Sequence, residues 1–163
     1  MKYRELEAAL LQLHKIKPAN VRAFRSRLRL LRDIGVPNVV KPGKGSQVEY
    51  GFEDLWQAHM GLSLGIFGFP PLRVKYVTDK RDDWVEYVRD LEVEVLADIW
   101  IGITRQHVFT ESLDKLINRL RESQKLPASA GVIGLLNASK MTRECEDAFN
   151  MIRSRRNSGE QTK

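Results

Sequence analysis

A single cysteine, Cys145, stands among 163 residues, so no disulfide can form within the chain. The covalent staples of small secreted domains are thereby excluded. Histidine is scarce too: His14, His59 and His107 fall on different expected elements, far apart in sequence, and form no Cys/His cluster of metal-ligating type. No apolar run approaches the roughly 20 residues that a membrane span needs. The opening MKYRELEAALLQL sets acids inside its apolar pattern and carries no small-residue cleavage site, unlike a signal peptide. The expectation is a cytoplasmic protein with no membrane partner. Catalytic signatures are also wanting: there is no G-x-S-x-G, no Walker loop and no His/Glu metal motif. GKG at 43–45 has neither the spacing nor the helix start of a phosphate loop. No enzyme, metal or cofactor is expected.

Acids are missing from one region in particular. Residues 1–45 hold eleven Lys and Arg against Glu5, Glu7 and Asp33, a net of +8. The other 118 residues hold 16 basic and 18 acidic groups, a net of −2. The whole excess of the chain, +6, therefore sits in its amino-terminal quarter. Such asymmetry points to a polyanion-facing head joined to a module with another task.

Periodicity orders that head. Leu6, Leu10 and Leu13 recur at helical spacing over 3–14. A break follows at Pro18, and Val21, Phe24, Leu28 and Leu31 mark a second helix over 20–35, ended by Gly35 and Pro37. Residues 38–50 are rich in Gly, Pro and Lys and read as a hairpin wing with Lys41 and Lys44 near its tip. A third helix is expected over 51–67, weakened by Gly61 and Gly65, and a short fourth over 69–77.

The second helix carries the functional signal. At about 100° per residue, Arg22, Arg25, Arg29 and Arg32 share a quarter-turn arc beside the apolar stripe, with Ser26 at its edge. Arg27 lies elsewhere. Like charges stacked at i,i+3 and i,i+4 repel by a few tenths of a kcal/mol per pair, roughly. A phosphate backbone offsets that repulsion, and Arg also pairs in two-pronged fashion with guanine edges in the major groove. The candidate DNA-contacting residues are Arg22, Arg25, Ser26, Arg29, Arg32, Lys41 and Lys44, the last two gripping phosphate. The reading requires guanidinium groups turned outward and not consumed by intramolecular ion pairs.

Residues 27–76 resemble the amino-terminal DNA-binding domain of the MerR family of bacterial regulators. RLRLLRDIGV is similar to the family's T-L-R-Y-Y-E-x-I-G-L at Leu28, Arg29, Ile34 and Gly35. GSQVEYGFEDL matches the wing motif G-Y-R-x-Y-S-x-E-D-L at Tyr50, Glu53, Asp54 and Leu55, with Gly45 displaced by one position. FGFPPLRVKYV echoes L-G-F-S-L-x-E-I at Gly68 and Phe69. The resemblance implies a bacterial or phage homodimer that controls transcription from a near-palindromic site. Leu30 and Leu31 replace the family's paired aromatics, Val48 and Glu49 stand at its wing-arginine positions, and its long dimer coiled coil is not evident.

Beyond the charged connector TDKRDD (78–83) the period changes. Alternation over 91–102 predicts a strand, Thr110 is placed as the N-cap of a helix over 110–123, GVIGLL (131–136) as a buried strand, and a closing helix over 137–153 capped near Ser139. Cys145 falls on the inward stripe of that helix, as a packing residue.

The expected fold class is α+β. A winged helix-turn-helix over 1–77 is followed by an α+β dimerisation or effector module over 84–153 and a disordered tail over 154–163. The leading functional expectation is a sequence-specific, double-stranded-DNA-binding transcriptional regulator, self-associating as a homodimer. Alternatives are an excisionase-like accessory DNA-binder of a mobile element, or an adaptor whose basic face meets an acidic protein. The sequence names no small-molecule effector.

Overall fold

The leucine, phenylalanine and valine stripes of the first 79 residues fold as four α-helices in the computed structural model, which describes residues 1–39, 48–79, 99–104, 108–112, 115 and 132–158. The helices are α1 (Tyr3–Leu13), α2 (Val21–Asp33), α3 (Phe52–Ile66) and α4 (Pro71–Asp79), with a 3₁₀ turn at Pro18–Asn20 leading into α2. A three-stranded sheet of β1 (Ile99–Thr104), β2 (Val108–Ser112) and β3 (Val132–Asn137) follows, and α5 (Ala138–Asn157) closes the described chain. The fold is thus mostly helical with one small antiparallel sheet.

Two units divide the chain: Met1–Asp82 with Arg143–Lys163, and Asp83–Thr142. The division falls inside α5. It differs from the expected boundaries, because the greater part of the closing helix belongs with the amino-terminal helices and not with a module over 84–153. Phe149 of α5 sets its ring edge-on to Phe52, with centroids 5.9 Å apart, and Arg156 pairs with Glu5. The tail also starts later than expected, since Ser154–Asn157 continue α5. Thr78 is no connector residue either: it is buried in α4, and its hydroxyl donates to the carbonyls of Val74 and Lys75.

In the first unit α3 packs against α1, α2 and α4. Leu55, Trp56, Met60 and Leu64 of α3 are buried against Leu6 and Leu10 of α1, Phe24, Leu28 and Leu31 of α2, and Val74 and Val77 of α4. Burying a residue of this size removes about 1.5–3 kcal/mol of apolar exposure. Gly61 permits the approach of α2 to α3, for a Cβ there would lie 3.1 Å from Val36 Cγ1 and 3.3 Å from Leu31 Cδ1.

Three helices end in the same way. After α2, Gly35 turns left-handed at φ 82°, its N–H donates to Arg32 O, and the Val36 N–H donates to Leu31 O. After α3, Gly68 at φ 82° and Phe69 repeat the pattern onto Gly65 and Leu64. After α1, Lys15 takes the left-handed position at φ 49° and Ile16 closes onto Leu11. This crossed pair of bonds satisfies carbonyls that the last turn would otherwise leave open.

The second unit has strand order β2-β1-β3, antiparallel throughout. Ile101 pairs with Thr110 on one side and Leu136 on the other, and the ladder to β3 is irregular between Ile103 and Thr104. Thr110 is therefore a strand residue and not a helix cap: Val108, Phe109 and Thr110 favour extended backbone, and pairing with β1 outweighs the capping signal. Lys115 is helical. The rest of the helix expected over 110–123 and residues 91–98 of the expected strand lie outside the described residues. Asn137 caps α5 in place of Ser139, its Oδ1 accepting from the Lys140 N–H at 2.7 Å.

Candidate nucleic-acid interface

Phe24, Leu28 and Leu31 anchor α2 to the core and fix which of its side chains face water. The pole opposite that stripe carries Arg22, Ser26, Arg29 and Asp33, all exposed. Arg22, Arg27 and Arg29 have no side-chain partner among the described residues. The Ser26 hydroxyl donates back to Arg22 O at 3.2 Å, which leaves its oxygen lone pairs outward.

The other two arginines of the arc lean toward α1. Arg25 Nε donates to Glu7 Oε1 at 2.7 Å, although its side chain remains 58% exposed. The Arg32 guanidinium lies over the Tyr3 ring, 5.2 Å from its centroid. The expected row of four outward arginines is thus resolved into two pairs. Arg22 and Arg29 point outward unpaired, while Arg25 and Arg32 are steadied by Glu7 and Tyr3, which sit one turn apart on one side of α1. Sequence spacing could not supply these partners, since Glu7 and Arg25 are separated by 18 positions.

Of the segment expected to form a wing, Lys41, Lys44 and the rest of 40–47 lie outside the described residues. Its exit is tied to the chain start: the Met1 amine donates to Tyr50 O at 2.6 Å and the Tyr50 N–H donates to Met1 O at 2.8 Å. The rings of Tyr3 and Tyr50 lie 6.2 Å apart. Val48–Tyr50 form no regular strand. At the start of α3, Asp54 Oδ2 accepts from the Gly51 N–H at 2.7 Å. Burial raises the Asp54 pKa, so the cap holds a carboxyl partly withdrawn from water.

Leu28, Leu55 and Phe69 are core, Tyr50 is buried, Gly35 and Gly68 end helices, and Asp54 starts one. Arg29 is the exposed cation among them.

Beneath the arc, His14 of the α1 C-cap and His59 of α3 meet, with Nε2 and Nδ1 2.9 Å apart and rings edge-on at a centroid distance of 4.7 Å. Phe24 of α2 flanks His14 at 5.9 Å. Burial pushes the His59 pKa down to about 3, with His14 adding to the effect, and burial lowers His14 as well. The pair is a neutral polar bridge inside the helical core, which the 45-residue separation concealed. Cys145 is buried, and burial foremost pushes its thiol up to about 12, which leaves it a packing group with little thiolate.

No helix among the described residues is long and apolar enough to cross a membrane. Among the same residues no three His, Cys, Asp or Glu side chains gather as a metal site. No protein-family model matches the chain, and no curated protein matches it either.

Proposed function

We propose that this protein is a sequence-specific regulator of transcription, cytoplasmic and bacterial or phage in origin, which binds double-stranded DNA as a homodimer through a MerR-like winged helix-turn-helix. In this reading α2 is the recognition helix. Arg22 and Arg29 reach base edges or phosphates in the major groove, Ser26 supplies a short hydroxyl contact, and Arg32 binds flanking phosphate from a position steadied by Tyr3, while Glu7 holds Arg25 back. Lys41 and Lys44 of the wing grip phosphate alongside. The carrying observation is the outward pole of α2, where Arg22 and Arg29 stand exposed and unpaired among the described residues.

A homodimer draws support from the corner between α3 and α4. Ile66 is 60% exposed, Phe67 52% and Leu72 80%, which is unusual company for three large apolar side chains within seven residues.

The decisive experiment is an Arg22→Ala/Arg29→Ala double variant, checked for native circular dichroism and titrated against duplexes selected from genomic DNA. Each lost contact costs about 1–3 kcal/mol, so affinity falls by roughly 30-fold or more. A folded variant with unchanged affinity and salt dependence overturns the reading.

A further inference from the structure

Three consecutive residues in the first turn of α1 gather cations from both ends of the chain. Tyr3 carries the Arg32 guanidinium of α2 on its ring. Glu5 accepts both prongs of Arg156 of α5, Nε at 2.8 Å and Nη2 at 2.7 Å. Between them, Arg4 is exposed and has no side-chain partner among the described residues. Tyr3 and Glu5 lie on opposite flanks of α1, so the three guanidinium groups ring the outward half of its first turn.

Arg153 adds a fourth. With Arg156, Met1, Phe149 and Ile152 it lines a shallow cleft of about 200 Å³, and it is exposed and unpaired among the described residues. Acids are few here. Glu5 is engaged by Arg156, whose hydrogen bonds hold its carboxyl below the usual range, and Glu49 is the second acid near Arg156. From Ala148 to Ser158 the sequence has three arginines and no acid, whereas the acids of α5 are confined to Glu144–Asp147. The helix dipole accounts for cations in a last turn, as with Arg155 and Arg156, but Arg153 precedes that turn. The amino-terminal end of α1 adds its own partial positive charge.

We propose that Arg4 and Arg153, on either side of the Glu5–Arg156 ion pair, form a second phosphate-binding patch, which takes the sugar–phosphate backbone flanking the segment read by α2. The proposal rests on the DNA-binding reading and extends it to residues that carry no base information. Arg32 joins the two areas, since it belongs to the arc of α2 and touches the same turn of α1. Contacts of this kind set register and affinity but are blind to sequence.

The test is an Arg4→Ala/Arg153→Ala double variant of the full chain, compared with the wild type and with Arg22→Ala/Arg29→Ala. Binding to a fluorescein-labelled random-sequence duplex is followed by anisotropy over a salt series. The slope of log affinity against log salt should fall by about 2, at about 0.9 per lost phosphate contact, while preference for selected over random duplex is unchanged. Neither arginine has a side-chain partner among the described residues, so the fold is kept. An unchanged slope, with binding still lost in Arg22→Ala/Arg29→Ala, refutes the patch and leaves the recognition helix standing. A wild type that ignores the duplex even at low salt removes both proposals together.

Discussion

Arg25 and Glu7 form a 2.7 Å ion pair that ties the arginine helix to the helix before it. Such a pair in solvent is worth little to stability, within about 1 kcal/mol, but it masks one cation of the arc. Glu7→Gln should leave the melting temperature almost unchanged. It should also raise low-salt affinity for random duplex several-fold and steepen the salt slope by about 1, as Arg25 becomes available to phosphate. Anisotropy titration of the purified variant checks this.

The bridge between His14 and His59 sets a pH dependence. Both folded-state pKa values lie below the ordinary 6.5, and that of His59 is about 3. Between those limits the unfolded chain binds more protons than the folded one, so stability is greatest above about pH 6.5 and declines as pH falls toward 3. Each pH unit costs up to about 1.4 kcal/mol per histidine. Urea melts at neutral pH and near pH 5 should show the decline. A His14→Gln/His59→Leu variant should flatten it, and an equally steep profile in that variant would assign the effect to other groups.

Lys15 holds a left-handed backbone at φ 49°, a conformation that costs a residue with a side chain about 1–2 kcal/mol. Lys15→Gly removes that strain and loses roughly 0.5–1 kcal/mol to the greater freedom of the unfolded chain. A net gain of about 0.5 kcal/mol is expected, read as a rise of 1–2 °C, roughly, in melting temperature.

Two glycines of α3 should respond oppositely to alanine. At Gly61 the new methyl meets Val36 and Leu31, both buried, and overpacking costs about 1–3 kcal/mol against a helix-propensity gain near 1. At Gly65 a Cβ meets nothing within 4 Å, so the propensity gain stands alone. Thermal melts should rank Gly65→Ala above wild type and Gly61→Ala below it.

If the corner of α3 and α4 joins two copies, Leu72→Glu should yield a monomer by analytical ultracentrifugation. Affinity for a two-half-site duplex should then drop far more than affinity for random DNA. A dimer that survives the change moves self-association to another surface.

Helices were the legible part of this chain because their signal is local. Val21, Phe24, Leu28 and Leu31 announce α2, and Gly35 announces its end. Gly61 looked like a weakness in α3, and only the approach of Val36 explains its use. Thr110 suits a cap as well as a strand, and the choice is made by its pairing with Ile101 of the preceding strand, which a capping signal alone does not show. The arc was legible as charge and not as geometry. Glu7 and Tyr3, which divide its arginines into held and unheld, reach α2 only through tertiary packing. Arg156 was hidden further still, in what composition presents as a frayed end.

The first unit is discontinuous along the chain, and Glu5 waits 151 positions for Arg156. During synthesis the ribosome releases α1 to α4 well before the ring that covers Phe52 or the guanidinium that satisfies Glu5 has been made. The head therefore matures last, after the intervening sheet has emerged. A nascent chain stalled near residue 140 would hold every arginine of α2 and still lack a finished scaffold beneath them.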